Sequence, residues 1–106
     1  MGKVSPTQRT LAHLRKTYPL VQVVEHWNSF AGIRQDLFGI IDVLAVGEDI
    51  AMVQTTTKSN MRARIEKILA SPALPHLLAA RIKVIVHGWW KQANGRWALA
   101  EHQFAL

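Results

Sequence analysis

The stretch Gly39-Ile40-Ile41-Asp42-Val43-Leu44-Ala45-Val46-Gly47-Glu48-Asp49-Ile50-Ala51-Met52-Val53-Gln54 decides the fold. Two apolar runs joined by a Gly-Glu-Asp turn predict an antiparallel pair of strands. Neither run alternates cleanly between apolar and polar, so the pair is expected to be buried on both faces, at the centre of a sheet. One carboxylate, Asp42, interrupts the first run, and an amide, Gln54, ends the second.

Toward the N-terminus, Ser5-Pro6-Thr7-Gln8 carries a helix start: Ser5 caps, Pro6 suits the first helical position and Gln8 completes a capping box. The helix is expected to reach about Thr17, burying Leu11 and Leu14 and exposing Arg9, Arg15 and Lys16, with Tyr18-Pro19 ending it. The Val-rich segment Leu20 to Trp27 predicts a strand, and Asn28 to Gln35, containing Gly32, a loop. Toward the C-terminus the period becomes helical after Ser59-Asn60. Met61, Ile65, Ile68 and Leu69 share one stripe, and Arg62, Arg64 and Lys67 point elsewhere. Ser71-Pro72 breaks this helix, and a short second one, Ala73 to Arg81, presents Leu74, Leu77 and Leu78. Ile82 to Trp90 and Arg96 to Phe104 predict two strands around a Gln92-Ala93-Asn94-Gly95 hairpin turn. The order is α-β-β-β-α-(α)-β-β, a single α/β domain over residues 1–106 without repeat, linker or low-complexity segment.

Composition agrees. The chain has 106 residues, 49% of them hydrophobic, enough for one core. No apolar run approaches the roughly 18 residues of a membrane span, and Met1-Gly2-Lys3-Val4-Ser5-Pro6 lacks the apolar stretch of a secretory signal. The absence of cysteine excludes disulfides and thiolate metal sites, and a cytoplasmic protein is expected. Lys and Arg number 13 against 7 for Asp and Glu, a net charge of +6 with a pI near 10.4. That balance points to a polyanionic partner, nucleic acid first.

Asp42 is the chemical anomaly, because an unpaired charge on a buried strand is costly. A basic neighbour, a set of backbone donors or a metal ion must compensate it. A hairpin about Gly47-Glu48-Asp49 brings Gln54 near Asp42. A carboxylate and an amide oxygen converging on one point suit a hard cation such as Mg²⁺; the alternative is that Gln54 ends its strand and bonds nearby backbone. The histidines His13, His26, His76, His87 and His102 show no close paired spacing, which argues against zinc. Trp27, Trp89, Trp90 and Trp97 read as core or interface residues. Trp89 and Trp90 are adjacent on a strand and face opposite sides, which hints at a homodimer.

An Asp on one central strand, an acid or amide then x-Lys at the end of the next, and a following helix resemble the PD-(D/E)XK nucleases. The matching segments are Asp36-Leu37-Phe38-Gly39-Ile40-Ile41-Asp42 and Val53-Gln54-Thr55-Thr56-Thr57-Lys58, and the layout is similar over most of the chain. The chain looks especially like the small Holliday-junction-resolvase-like members and related phage nucleases. The resemblance implies a restriction-endonuclease-like core, a central mixed β-sheet flanked by helices. It implies a Mg²⁺-dependent endonuclease, with Mn²⁺ as substitute, hydrolysing duplex or branched DNA as a homodimer in a bacterial or phage-infected cell. Asp42 would be the metal-binding acid, Gln54 the second ligand and the Thr55 carbonyl a third, with Asp36 or Glu25 as an additional acid. Thr56 stands where the family has its catalytic lysine, and a threonine lacks the charge that orients the attacking water and stabilises the pentavalent phosphate. Lys58, on the same strand face as Gln54 and Thr56, is the expected replacement. Arg34, Lys58, Arg62 and Arg64 would hold phosphates, with Ser59 and Asn60 adding backbone donors. Two alternatives stand beside this reading: a catalytically weakened nuclease-fold DNA-binding module, and a regulatory protein whose Trp-rich C-terminal hairpin binds a partner.

Overall fold

A computed structural model describes residues 4–106; Met1-Gly2-Lys3, part of the segment read above as lacking a signal, lies outside them. Helix α1 (Pro6–Leu14) starts as expected: the Gln8 amide donates to Ser5 Oγ at 3.2 Å, and Gln8 Oε1 accepts from the Ser5 amide. It ends earlier than Thr17, because the Thr17 and Tyr18 amides both fold back onto the Leu14 carbonyl. Leu14 is buried as predicted and Leu11 half-buried; Arg9, expected in solvent, lies over the Trp97 ring at 4.0 Å.

Strands β1 (Leu20–Val23), β4 (Val43–Val46), β5 (Ile50–Thr57), β6 (Lys83–Lys91) and β7 (Trp97–Gln103) form one mixed sheet in the order β1-β4-β5-β6-β7. The deciding stretch forms the antiparallel β4–β5 pair, with Val43 opposite Val53 and Val46 opposite Ile50. β5 is the central strand, and β6 runs parallel to it. That parallel step requires a long crossover, supplied by α2 (Met61–Leu69) and α3 (Leu74–Ala79). On the crossover face Met52, Val84 and Val86 pack with Ile68, Leu74 and Leu77. On the other face Val43, Ala45, Ala51, Val53 and Ile85 pack with Leu14 of α1. Leu69, assigned above to the buried stripe, is 62% exposed. A Cβ at Gly88 would overlap the Met61 side chain and stand 3.1 Å from Lys58 Cα, so glycine lets the start of the crossover lie against β6.

The segment Leu20 to Trp27 is not one strand. β1 leaves the sheet after the Val24 amide bonds to the Asp42 carbonyl at 2.8 Å. The chain then forms a separate hairpin of β2 (His26–Asn28) and β3 (Ile33–Gln35), where a loop was predicted. Asn28 builds its turn: Oδ1 accepts from the Phe30 and Ala31 amides, and Gly32 takes a positive φ of 66°. Among the described residues no helix is long and apolar enough to cross a membrane.

Candidate functional site

Beyond the β4–β5 pair the ladder continues for one bond, from the Asp42 amide to the Val53 carbonyl. This sets Asp42 beside Gln54 on the crossover face, and Gln54 Nε2 donates to Asp42 Oδ2. The Thr55 amide donates to the same oxygen at 2.9 Å. Asp36 arrives by a tight reversal rather than along the same strand. Leu37 bridges Ile41, and the chain turns through Phe38 and Gly39 with φ of 55° and 74°. A positive φ is uncommon for a phenylalanine, so this loop holds local strain beside the acids. The reversal points Asp36 at the same place, with Gln54 Nε2 reaching Asp36 Oδ2 at 3.5 Å.

Glu25, expected inside a strand, sits in the break between β1 and β2 and completes a cluster. One carboxylate oxygen each from Glu25, Asp36 and Asp42 lie within 4.8 Å of one another. Asp42 is only 5% exposed, and burial, followed by the Asp36 hydrogen bond, pushes its carboxyl up to about 7. The Thr55 amide pulls the other way. Asp42 thus exchanges its proton near neutrality, and a cation in the cluster would displace it. Gln54, 1% exposed, has a buried Oε1 with no hydrogen-bond partner while its Nε2 bonds both aspartates. Three converging carboxylates beside an uncommitted amide oxygen fit a hard divalent cation, which takes oxygen ligands. Turning the amide of Gln54 would present that oxygen to the acids.

The other named residues divide. Thr56 is buried on the Gln54 face, and the Thr55 backbone serves Asp42 through its N–H. Lys58 does not come to the acids: it lies in the 3₁₀ turn Lys58–Asn60 with Nζ 4.0 Å from the centre of the Trp90 ring. A cation that does reach the acids is Lys67 of α2, with Nζ 3.6 Å from Asp36 Oδ2. Sequence reading set Lys67 aside with the solvent-facing charges. The available signal was its place directly before the buried Ile68, at the border of the apolar stripe. Arg34 on β3 is 3.4 Å from Glu25. Arg34, Lys67, His26, Gln35, Asp36 and Gly39 line an open recess of about 390 Å³, which reaches the cluster through Asp36. Arg62 is exposed and pairs with Glu66 at 3.7 Å, and Arg64 is half-buried on the same helix.

The tryptophans give no exposed pair at the C-terminal hairpin. Trp89 is buried and Trp90 half-buried under Lys58, whereas Trp27 and Phe30 of the β2–β3 hairpin are 63% and 102% exposed. Compared with known protein families, curated proteins and solved structures, the chain finds no match.

Proposed function

We propose that this protein is a metal-dependent DNA endonuclease of PD-(D/E)XK type, resolvase-like, acting on duplex or branched DNA as a homodimer. The observation that carries the reading is the convergence of Glu25, Asp36 and Asp42 around Gln54 at the end of the central antiparallel strands. Asp42, Asp36, Glu25 and Gln54 would hold Mg²⁺ or Mn²⁺, which supplies charge to polarise a phosphodiester and activate water.

The chain's own residues do the rest. The Thr55 amide fixes the Asp42 carboxylate, and Gln54 keeps the two aspartates together until a cation arrives. Lys67 brings the positive charge that Thr56 lacks at the motif position, and it is anchored on Asp36 where a phosphate oxygen would pass. Arg34 lines the same recess as Lys67, and Arg62 and Arg64 extend positive charge along α2. Lys58 joins them as an outlying phosphate contact.

The test is cleavage of labelled duplex, single-stranded and four-way-junction DNA with Mg²⁺ or Mn²⁺, by wild type and Asp42→Ala. Metal-dependent cutting that Asp42→Ala abolishes, with DNA binding retained, is the expected result. Salt-sensitive binding without cutting under either metal would overturn it in favour of the weakened DNA-binding module. Sedimentation of the free protein checks the dimer.

A further inference from the structure

On the opposite face of the sheet, where α1 packs, a second group of ligand-type side chains comes together from three elements. His13 lies on α1, His87 on β6 and Glu101 on β7, and one ligand atom from each lies within 4.8 Å of the others. We propose that His13, His87 and Glu101 form a binding site for a divalent transition metal of the Zn²⁺ class, clasping α1 to the β6–β7 hairpin. Two imidazoles and one carboxylate are a borderline-soft set that Mg²⁺ does not favour and Zn²⁺ does. The site is therefore chemically distinct from the all-oxygen cluster around Asp42, and it does not depend on the nuclease reading.

The surroundings of His87 support an oriented ligand. His87 is fully buried, yet its Nε2 is aimed at Glu101 Oε2, 3.1 Å away, and that side chain is 51% exposed. The imidazole therefore sits in the core with one nitrogen turned toward a surface residue. Its other nitrogen, Nδ1, is 3.0 Å from Thr10 Oγ1, and Thr10 in turn accepts from the Trp89 indole at 2.9 Å. A hydroxyl oxygen has two lone pairs, so Thr10 has room for both the indole and an Nδ1–H, and in that tautomer the Nε2 lone pair is the one a cation shared with Glu101 would take. Such an outer partner on the second ring nitrogen is the usual support of a metal-binding histidine. The His13 ring stands edge-on to His87 at 5.5 Å between centres and is half-buried, so the third ligand lies near the surface. Thr55, opposite His87 in the parallel register, carries a buried hydroxyl with no partner on this same face. Burial holds the His87 pKa below the ordinary imidazole value against the opposing pull of Glu101, which keeps the ring in the neutral form a metal requires.

The experiment titrates the full chain, freed of metal, with Zn²⁺ alone by calorimetry and with Co²⁺ alone by visible absorbance. The variants are His13→Ala and Glu101→Gln, which leave the buried His87 in place, and Asp42→Asn, which alters only the acidic cluster. Circular dichroism confirms that each is folded. Asp42→Asn is expected to take up one Zn²⁺ per chain and to develop a Co²⁺ absorption band; wild type is expected to do the same at this site, any further uptake at the acidic cluster being what Asp42→Asn removes. His13→Ala and Glu101→Gln are expected to bind at least about tenfold more weakly and to lose the band. Absence of saturable uptake by wild type, unchanged affinity in either His13→Ala or Glu101→Gln, or loss of uptake in Asp42→Asn would each overturn the proposal.

Discussion

The two ends of the central hairpin each present an aspartate, and the fold gives the two opposite surroundings. At the turn, Asp49 accepts from the Tyr18 hydroxyl at 2.6 Å and pairs with Lys83 at 2.7 Å. Lys83 and Tyr18 hold its carboxyl below the usual range, so it is ionised whenever the protein is folded near neutrality. At the far end, Asp42 is buried with a second carboxylate beside it and neutral donors around it, and its carboxyl rises to about 7. The larger of the two recesses, about 800 Å³, lies at the Asp49 end, where Asp49 and Lys83 already neutralise each other. The difference teaches that room alone does not mark a site: the buried, pushed-up carboxyl of Asp42, rather than the roomier recess at Asp49, is the candidate for chemistry.

Four measurements would break or sharpen that contrast. The largest effect is on cleavage: Asp42→Asn is expected to lower it by at least about 100-fold, and Asp49→Asn to leave it unchanged in the same gel assay. Next, Lys67→Ala is expected to reduce the single-turnover rate by about tenfold or more, whereas Lys58→Ala weakens DNA binding without slowing the bound complex. Equal slowing by both would remove Lys67 from its assigned role.

The third concerns stability of the metal-free protein. Because the folded-state pKa of Asp42 is raised, its proton-linked stabilisation is complete below the unfolded pKa near 4 and is lost as pH rises through about 7. Asp42→Asn mimics the protonated form at every pH. It is therefore expected to be more stable than wild type near pH 8, by roughly 4 kcal/mol, and to converge with it below about pH 4, by urea denaturation. Asp49 has the opposite sign: its lowered pKa stabilises above the unfolded value and is lost as pH falls, so Asp49→Asn should destabilise near neutrality. Smallest of the four, Tyr18→Phe should cost about 1 kcal/mol and leave cleavage intact.

Legibility in the sequence followed burial. The β4–β5 pair was readable because its apolar runs are continuous and its turn fixes the register, and that register is what sets Asp42 against Gln54. The β2–β3 hairpin was not, because His26, Trp27 and all of β3 are exposed and so carry no apolar alternation. Asp36 was named only as a further acid, since nothing in Leu37-Phe38-Gly39-Ile40 announces a reversal carried by a positive φ at Phe38. Lys58 was expected at the acids from strand parity, but the strand ends at Thr57 and the next residue begins a 3₁₀ turn. The His13–His87 encounter joins distant parts of the chain, and no local spacing encodes it.

The crossover between β5 and β6 also has a kinetic consequence. All the acids of the Asp42 cluster, with Gln54, lie on one side of it in the chain, so their meeting closes only short loops. The imidazole cluster instead needs α1 to wait for β6, as in the Thr10–His87 contact across 77 positions. Short closures cost less entropy and form sooner. During refolding the acidic pocket is therefore expected to take shape first, while the environment of Trp89 beside Thr10 matures last and supplies a fluorescent clock for the end of folding.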